Sequence, residues 1–138
     1  MRVIVGAIAA GLVMVLGSSV PVVAQRPGGT AAGRKLKNPV PSTAKSIQTG
    51  QSLYQRNCRF CHGADAKGNG PGAPTDTHPP DLTDAKWDRG ATDGEIFMVL
   101  RDGAGPEFKM KGYSGRMSDV EMWNLVNYLR SLGSAGKR

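Results

Sequence analysis

The sequence predicts an all-α domain of three to four short helices, and three observations carry that prediction. Two stretches open on the capping-box pattern, Thr92-Asp93-Gly94-Glu95 and Ser118-Asp119-Val120-Glu121, and each continues with apolar residues at helical spacing. No segment alternates apolar and polar residues as a half-buried strand would. A third apolar stretch at helical spacing leads into Cys58-Arg59-Phe60-Cys61-His62.

The first helix starts near Ser46, with Ile47, Gly50, Leu53 and Tyr54 on one face. Gly50 is poor in a helix interior and makes sense if another helix crosses closely there. The second starts at Thr92, carries Ile96, Phe97 and Leu100, and stops at Gly103 and Gly105. The third starts at Ser118 and carries Trp123, Val126, Leu129 and Leu132, with Gly133 where a C-terminal cap belongs. A shorter fourth helix is expected over Thr83 to Arg89. The stretch Gly63 to Pro80 is dense in glycine and proline. A loop of that length needs something to order it.

The spacing Cys-x-x-Cys-His is that of covalent attachment of c-type haem. Two thiols reach the two vinyl groups on one edge of the macrocycle, and the next residue brings an imidazole under the iron as proximal ligand. Three other readings compete. A redox dithiol usually opens a helix within a βαβ pattern, and no strand–helix alternation surrounds this one. Structural zinc takes four Cys or His ligands; the chain offers Cys58, Cys61, His62 and His78, without the paired spacing. A Cys58–Cys61 disulfide would close a very small loop and stabilise little. For the sixth position on the iron the candidates are Met98, Met110, Met117, Met122 and His78. Met98 and Met122 fall inside helices, where methionine commonly packs the core. Met117 precedes the Ser118 cap, which suits a staple contact. Met110 lies in the irregular stretch Gly103 to Gly115, where the chain is free to bring a thioether to the iron. The domain has few aromatics and a thin core, so a covalent haem would also serve as staple and core filler.

A chain of 138 residues is one domain by default. Residues 1–24 read as a secretory signal: Met1-Arg2, an apolar run from Val3 to Leu16, and small residues at a cleavage position after Ala24. An uncleaved anchor is the competing reading, because Val3 to Ala24 carries no charge. Residues 25–45 read as a flexible basic linker, 46–133 as the domain, and 134–138 as a basic tail. The formal net charge of +7 sits on those tails. Ile47 to Gly133 holds ten bases against eleven acids, which excludes the basic face a nucleic-acid-binding domain needs.

Taken together, Gly50-x-x-Leu53-Tyr54, Cys58 to Gly63 and Pro80-Asp81-Leu82-Thr83 resemble the first half of a class I cytochrome c. Met110-x-x-Tyr113, followed by Met117-Ser118-Asp119 and the run Trp123 to Leu129, resembles its second half, with Lys111 where that family commonly has proline. The resemblance covers about Ile47 to Leu132. It implies the small cytochrome c fold, three to four helices wrapped around one covalently bound haem c, with Cys58 and Cys61 attached to it and His62 and Met110 as iron ligands. It implies that the first and last helices cross, Gly50 meeting the Trp123–Tyr128 segment. It implies a proline carbonyl accepting from His62 Nδ1, with Pro71 and Pro74 as candidates. Trp87 and Arg89 could reach a propionate; ordinary packing and a solvated guanidinium are the alternatives. The function it implies is that of a periplasmic electron carrier rather than an enzyme. Its partners would be redox proteins, a donor dehydrogenase and an acceptor oxidase or reductase. The alternatives are a membrane-tethered haem c subunit of a larger redox complex, with 25–45 as leash, and a haem enzyme or sensor with an open sixth position.

Overall fold

The computed structural model describes residues 29–104 and 109–134. The expected signal segment, Gly105 and residues 135–138 of the expected tail lie outside them. In chain order the elements are α1 (Ala31–Lys35), α2 (Ala44–Asn57), α3 (Arg59–His62), α4 (Asp93–Asp102), β1 (Gly103–Ala104), β2 (Met110–Lys111) and α5 (Asp119–Ser134). The fold is all-α apart from the two-residue antiparallel pair β1–β2, in which Gly103 faces Lys111 and Ala104 faces Met110. Two residues per strand are too short to leave an alternating pattern in the sequence.

The helices start where their caps dictate. Thr43 Oγ1 accepts from Ser46 N at 3.2 Å, so α2 opens two residues before the expected Ser46. Both capping boxes are closed. Thr92 Oγ1 accepts from Glu95 N at 3.3 Å while the Glu95 carboxylate accepts from Thr92 N at 3.0 Å. Ser118 and Glu121 repeat the exchange at 3.3 and 2.9 Å. At the other end of α5 the expectation fails: Gly133 lies inside the helix, which runs on to Ser134. The stretch 83–89 is not helical. Asp81 Oδ1 accepts from Thr83 N at 2.7 Å and Asp84 Oδ1 from Lys86 N at 2.8 Å, local turns that compete with helix for the same amides.

α2 crosses α5 at Gly50. A Cβ there would overlap the Asn124 carbonyl oxygen and stand 2.7 Å from Tyr128 Cβ. The approach seats Tyr54 against Tyr128, ring centroids 5.4 Å apart. On the opposite side of α5, Phe97 of α4 stacks on Trp123 at 4.1 Å. Leu53, Ile96, Leu100, Met122, Leu125, Val126 and Leu129 fill the space between.

Residues 30–43 do not behave as the expected flexible tether. They form an ordered strap across the back of α4 and α5. Gly33 packs on Gly94, where a Cβ would overlap the Gly33 carbonyl oxygen. Arg34 pairs with the buried Glu95 at 3.3 Å. Asn127, also buried, accepts from Asn38 Nδ2 at 2.8 Å and donates to Val40 O at 3.1 Å and Ser46 Oγ at 2.7 Å. The strap is held by backbone contact between glycines, by polar satisfaction and by Val40 against the core, and so few apolar residues did not announce it. No described helix is long and apolar enough to cross a membrane.

Gly50→Ala is expected to destabilise the holoprotein by about 1–3 kcal/mol or more, because its nearest neighbours are a backbone carbonyl and a Cβ that cannot swing aside. Denaturant unfolding checks this, and an unchanged midpoint would show that the crossing has slack. A second expectation concerns acid. Burial raises the pKa of Glu95, but bonds from the Thr92 amide and hydroxyl and from Arg34 outweigh it and hold the carboxyl below the ordinary 4.5. Its stabilising contribution is therefore present above about pH 4.5 and lost as pH falls through the lower folded value. The stability gap between the parent and Glu95→Gln should be wide at neutral pH and narrow in acid; a gap constant with pH contradicts the pairing.

Candidate haem site

The last turn of α2 delivers Cys58, whose amide bonds to Tyr54 O at 2.8 Å. The helix breaks there, and α3 makes one further turn in which His62 N reaches Cys58 O at 2.9 Å. Gly63, at φ 82°, ends it. The fully buried Tyr54 pins the exit by donating its hydroxyl to Gly63 O at 2.7 Å.

The glycine-rich loop then folds back along α3. Gly68 N, Gly70 N and Gly72 N donate to His62 O, Cys61 O and Phe60 O at 2.8, 3.1 and 2.8 Å. The glycines are required by proximity: a Cβ on Gly70 would stand 2.7 Å from Cys61 O, and one on Gly72 would overlap the Phe60 ring. The protein's own hydrogen bonds thus order the first part of the loop that the sequence left needing a partner.

A cavity of about 540 Å³ opens between this turn and the rest of the domain, a size usual for sites that take small organic ligands and cofactors. Cys58, Cys61 and His62 line it, with Leu82, Ile96 and Leu100 among its apolar lining. Both cysteines are free. Burial pushes the Cys58 thiol up to about 11, with the nearby Tyr113 hydroxyl opposing the rise. A redox dithiol needs the reverse, a depressed thiol. Among the described residues no group of three His, Cys, Asp or Glu is placed to hold a metal ion, so the zinc reading has no ligand set there.

His62 is buried, and burial lowers its pKa below 6.5; the Pro80 carbonyl opposes the fall. Nδ1 is enclosed and closes no full hydrogen bond. The carbonyl that opposes the fall is that of Pro80, which closes no hydrogen bond to Nδ1; Pro74 lines the same cavity and Pro71 does not. The zipping of Gly68 to Gly72 onto α3 leaves Pro71 away from the cavity, and Pro80 arrives as the loop returns, where Leu82 N bonds to Ala66 O at 2.8 Å.

Of the described methionines, Met110 alone lines the cavity. Met117 and Met122 are buried in the core, and Met98 sits half-buried on α4. The bridge between Ala104 and Met110 holds the latter at the end of α4. His78 lines the exposed rim, two residues from Pro80. Tyr113 also lines the cavity, a residue the sequence offered only as part of a motif. Burial pushes its hydroxyl up to about 12. Arg89 supplies the clearest sign of an anionic group: its Nη1 is buried in the cavity lining with no hydrogen-bond partner among the described residues. Trp87 lines the cavity too, with the Arg130 guanidinium 5.7 Å from its ring centroid. Two thiols, an imidazole and a thioether around one apolar cavity, with an unpaired cation at its wall, fit a haem.

A family model described as cytochrome c oxidase, cbb3-type, subunit III matches residues 45–129. The chain belongs to this family. Similar curated proteins include the cbb3-type cytochrome c oxidase subunit FixP of Rhizobium meliloti (strain 1021), 32% identical over 93 residues, which are 67% of this chain and 30% of that protein. Subunit CcoP of Rubrivivax gelatinosus is 33% identical over 104 residues, 72% of this chain and 31% of CcoP. The chain thus spans about a third of the length of these relatives. Among solved structures, a chain of the Kuenenia stuttgartiensis reducing HAO-like protein complex superposes with TM-score 0.61 at 26% identity, covering 70% of this chain and 49% of that one. Cytochrome cL of Methylophaga aminisulfidivorans MPT superposes with TM-score 0.54 at 25% identity, covering 70% and 57%. This cbb3 subunit III relative is therefore a class I c-type cytochrome with the small all-α fold, and its cofactor is a covalently bound haem c with its iron.

Arg89→Met keeps bulk and removes charge. It is expected to lower the midpoint potential of the holoprotein by roughly tens of millivolts, since a cation at the wall of the haem cavity would favour the reduced state and 59 mV is about a tenfold shift for one electron. Redox titration checks this; an unchanged potential would place the guanidinium in solvent.

Proposed function

We propose that Cys58 and Cys61 hold the haem by thioether bonds, that His62 and Met110 are its axial ligands, and that the domain carries one electron at a time between redox proteins. The observation that carries this reading is that Met110, among the described methionines, shares a cavity with all three residues of the Cys-x-x-Cys-His turn. The haem supplies an iron that alternates between Fe(III) and Fe(II). Around it the chain's residues do the rest. Burial keeps His62 neutral, as a ligating imidazole must be. A Met110 thioether favours Fe(II) over what two imidazoles would give. Held by both His62 and Met110, the iron would offer a substrate no place to bind, which supports a carrier rather than an enzyme.

The site of action is the periplasm, supported by the basic, apolar and small-residue order of residues 1–24 and by the attachment chemistry. Partners are a donor such as a dehydrogenase and an acceptor such as an oxidase or reductase, met through small, weak contacts. Family membership favours a second reading, in which the domain is a fixed subunit of a membrane oxidase complex. Fractionation separates the two: a carrier is released with the soluble periplasm, a subunit stays with the membrane.

Absorption spectra test the ligand assignment. The parent should be low-spin in both oxidation states, show the weak Fe(III)–thioether band and ignore carbon monoxide. Met110→Ala should lose the band and bind carbon monoxide. Cys58→Ala with Cys61→Ala should release the haem under denaturing conditions, where the parent retains it. A high-spin parent that binds carbon monoxide readily would overturn the carrier in favour of an open iron.

A further inference from the structure

Met110 is followed by Lys111 and Gly112, which lend the backbone no stiffness, yet an axial ligand has to be held to a fraction of an ångström. The structure shows how. Gly112 runs against the end of α4, where a Cβ would stand 2.6 Å from Asp102 C, and Tyr113 N donates to Leu100 O at 2.8 Å. From there the half-buried Tyr113 side chain crosses the edge of the cavity, and its hydroxyl donates to Asn57 O at 2.9 Å, a contact between residues 56 apart in sequence. Asn57 is the residue before Cys58. The segment bearing Met110 and the turn bearing Cys58, Cys61 and His62 are therefore joined directly by one side chain.

On the other side of Met110, Lys109 Nζ meets Asp76 at 2.6 Å and Thr77 Oγ1 at 2.7 Å. That contact, like the Tyr113–Asn57 bond, is exposed, but it is an ion pair that salt also weakens.

We propose that Tyr113 is a positioning residue for the iron's sixth ligand: its hydroxyl ties the Met110 segment to the haem-attachment turn and so keeps Met110 on the iron. The inference rests on the reading of Met110 as a ligand. Removing the hydroxyl leaves the fold, the ring packing and the attachment cysteines in place but lets the Met110 segment lift. An outside ligand should then displace Met110 more readily.

The experiment titrates the ferric holoproteins of the parent, Tyr113→Phe and Met110→Ala with imidazole, following the thioether band, alongside their thermal midpoints and reduction potentials. Tyr113→Phe is expected to keep covalent haem and the band at zero imidazole, and to bind imidazole about 3- to 10-fold more tightly, the equivalent of one net hydrogen bond. Imidazole affinity equal to the parent's overturns the proposal while Met110→Ala, if it loses the band, leaves the ligand reading standing. A parent without the band, binding imidazole as Met110→Ala does, overturns both. Should Tyr113→Phe fail to mature, the reduced parent decides: nuclear Overhauser contacts from the Tyr113 ring to Cys58 support the tie, and their absence removes it.

Discussion

The haem site depends on how near α2 comes to α5. Gly50 lets the Asn124 carbonyl occupy the space a side chain would need, and that single omission fixes the rest. With the helix axes so close, Tyr54 falls on Tyr128 and is fully enclosed. Tyr54 in turn holds Gly63 by its hydroxyl. One end of the attachment turn is thus set by continuity with α2 and the other by a side chain of α2. A turn of five residues gripped at both ends presents Cys58, Cys61 and His62 in one orientation. Preorganisation here comes from backbone proximity, which α2 secures by giving up helix propensity at one position.

The remaining walls follow a different logic. The domain has little apolar material, and much of it is spent on the α4–α5 stack of Phe97 on Trp123 and the layer behind it. The far side of the cavity is built from irregular chain: the glycine loop zipped onto α3, the returning stretch with Pro80 and Arg89, and the short β1–β2 pair with Met110. Such chain is ordered by hydrogen bonds between backbone groups and by glycines that permit them. It encloses a space instead of filling one, which suits a domain whose largest apolar component is a cofactor.

This division explains what could be read from the amino-acid sequence. The capping boxes at Thr92 and Ser118, the crossing glycine and the Cys58–His62 motif each follow from local stereochemistry, and each stands in the structure where residue spacing put it. The strap over residues 30–43 was invisible because its few apolar residues, Leu36 and Val40 among them, make no helical or strand pattern. Its anchor, Asn127, looks like any polar residue of an amphipathic helix until Asn38, Val40, Pro41 and Ser46 are brought to it. Pro80 instead of Pro71 or Pro74 could not be chosen, because the choice depends on how tightly Gly68 to Gly72 fold back onto α3. Gly133 read as a cap, but a glycine stops a helix only where the chain takes a positive φ, and Gly133 does not. Arg89 was offered as a solvated residue or a propionate partner; burial without a partner favours the second. Tyr113 was legible as part of a motif, but not its bond to Asn57, which joins distant segments.

Burial sets the chemical character of the site in one direction. It raises Cys58, raises Tyr113 and lowers His62, so each group is held in its neutral form around neutral pH. For a thiol poised to attack, or a base poised to take a proton, that is the wrong bias. For groups surrounding an iron that changes charge by one unit it is the useful one. Neutral neighbours do not exchange protons when the iron changes state, and an apolar lining has few dipoles to reorient. The Arg89 guanidinium at the wall, with Nη1 buried and unpartnered among the described residues, adds a positive charge without adding a mobile proton. The same desolvation that makes Cys58 inert as a redox thiol thus makes the cavity suitable for moving electrons.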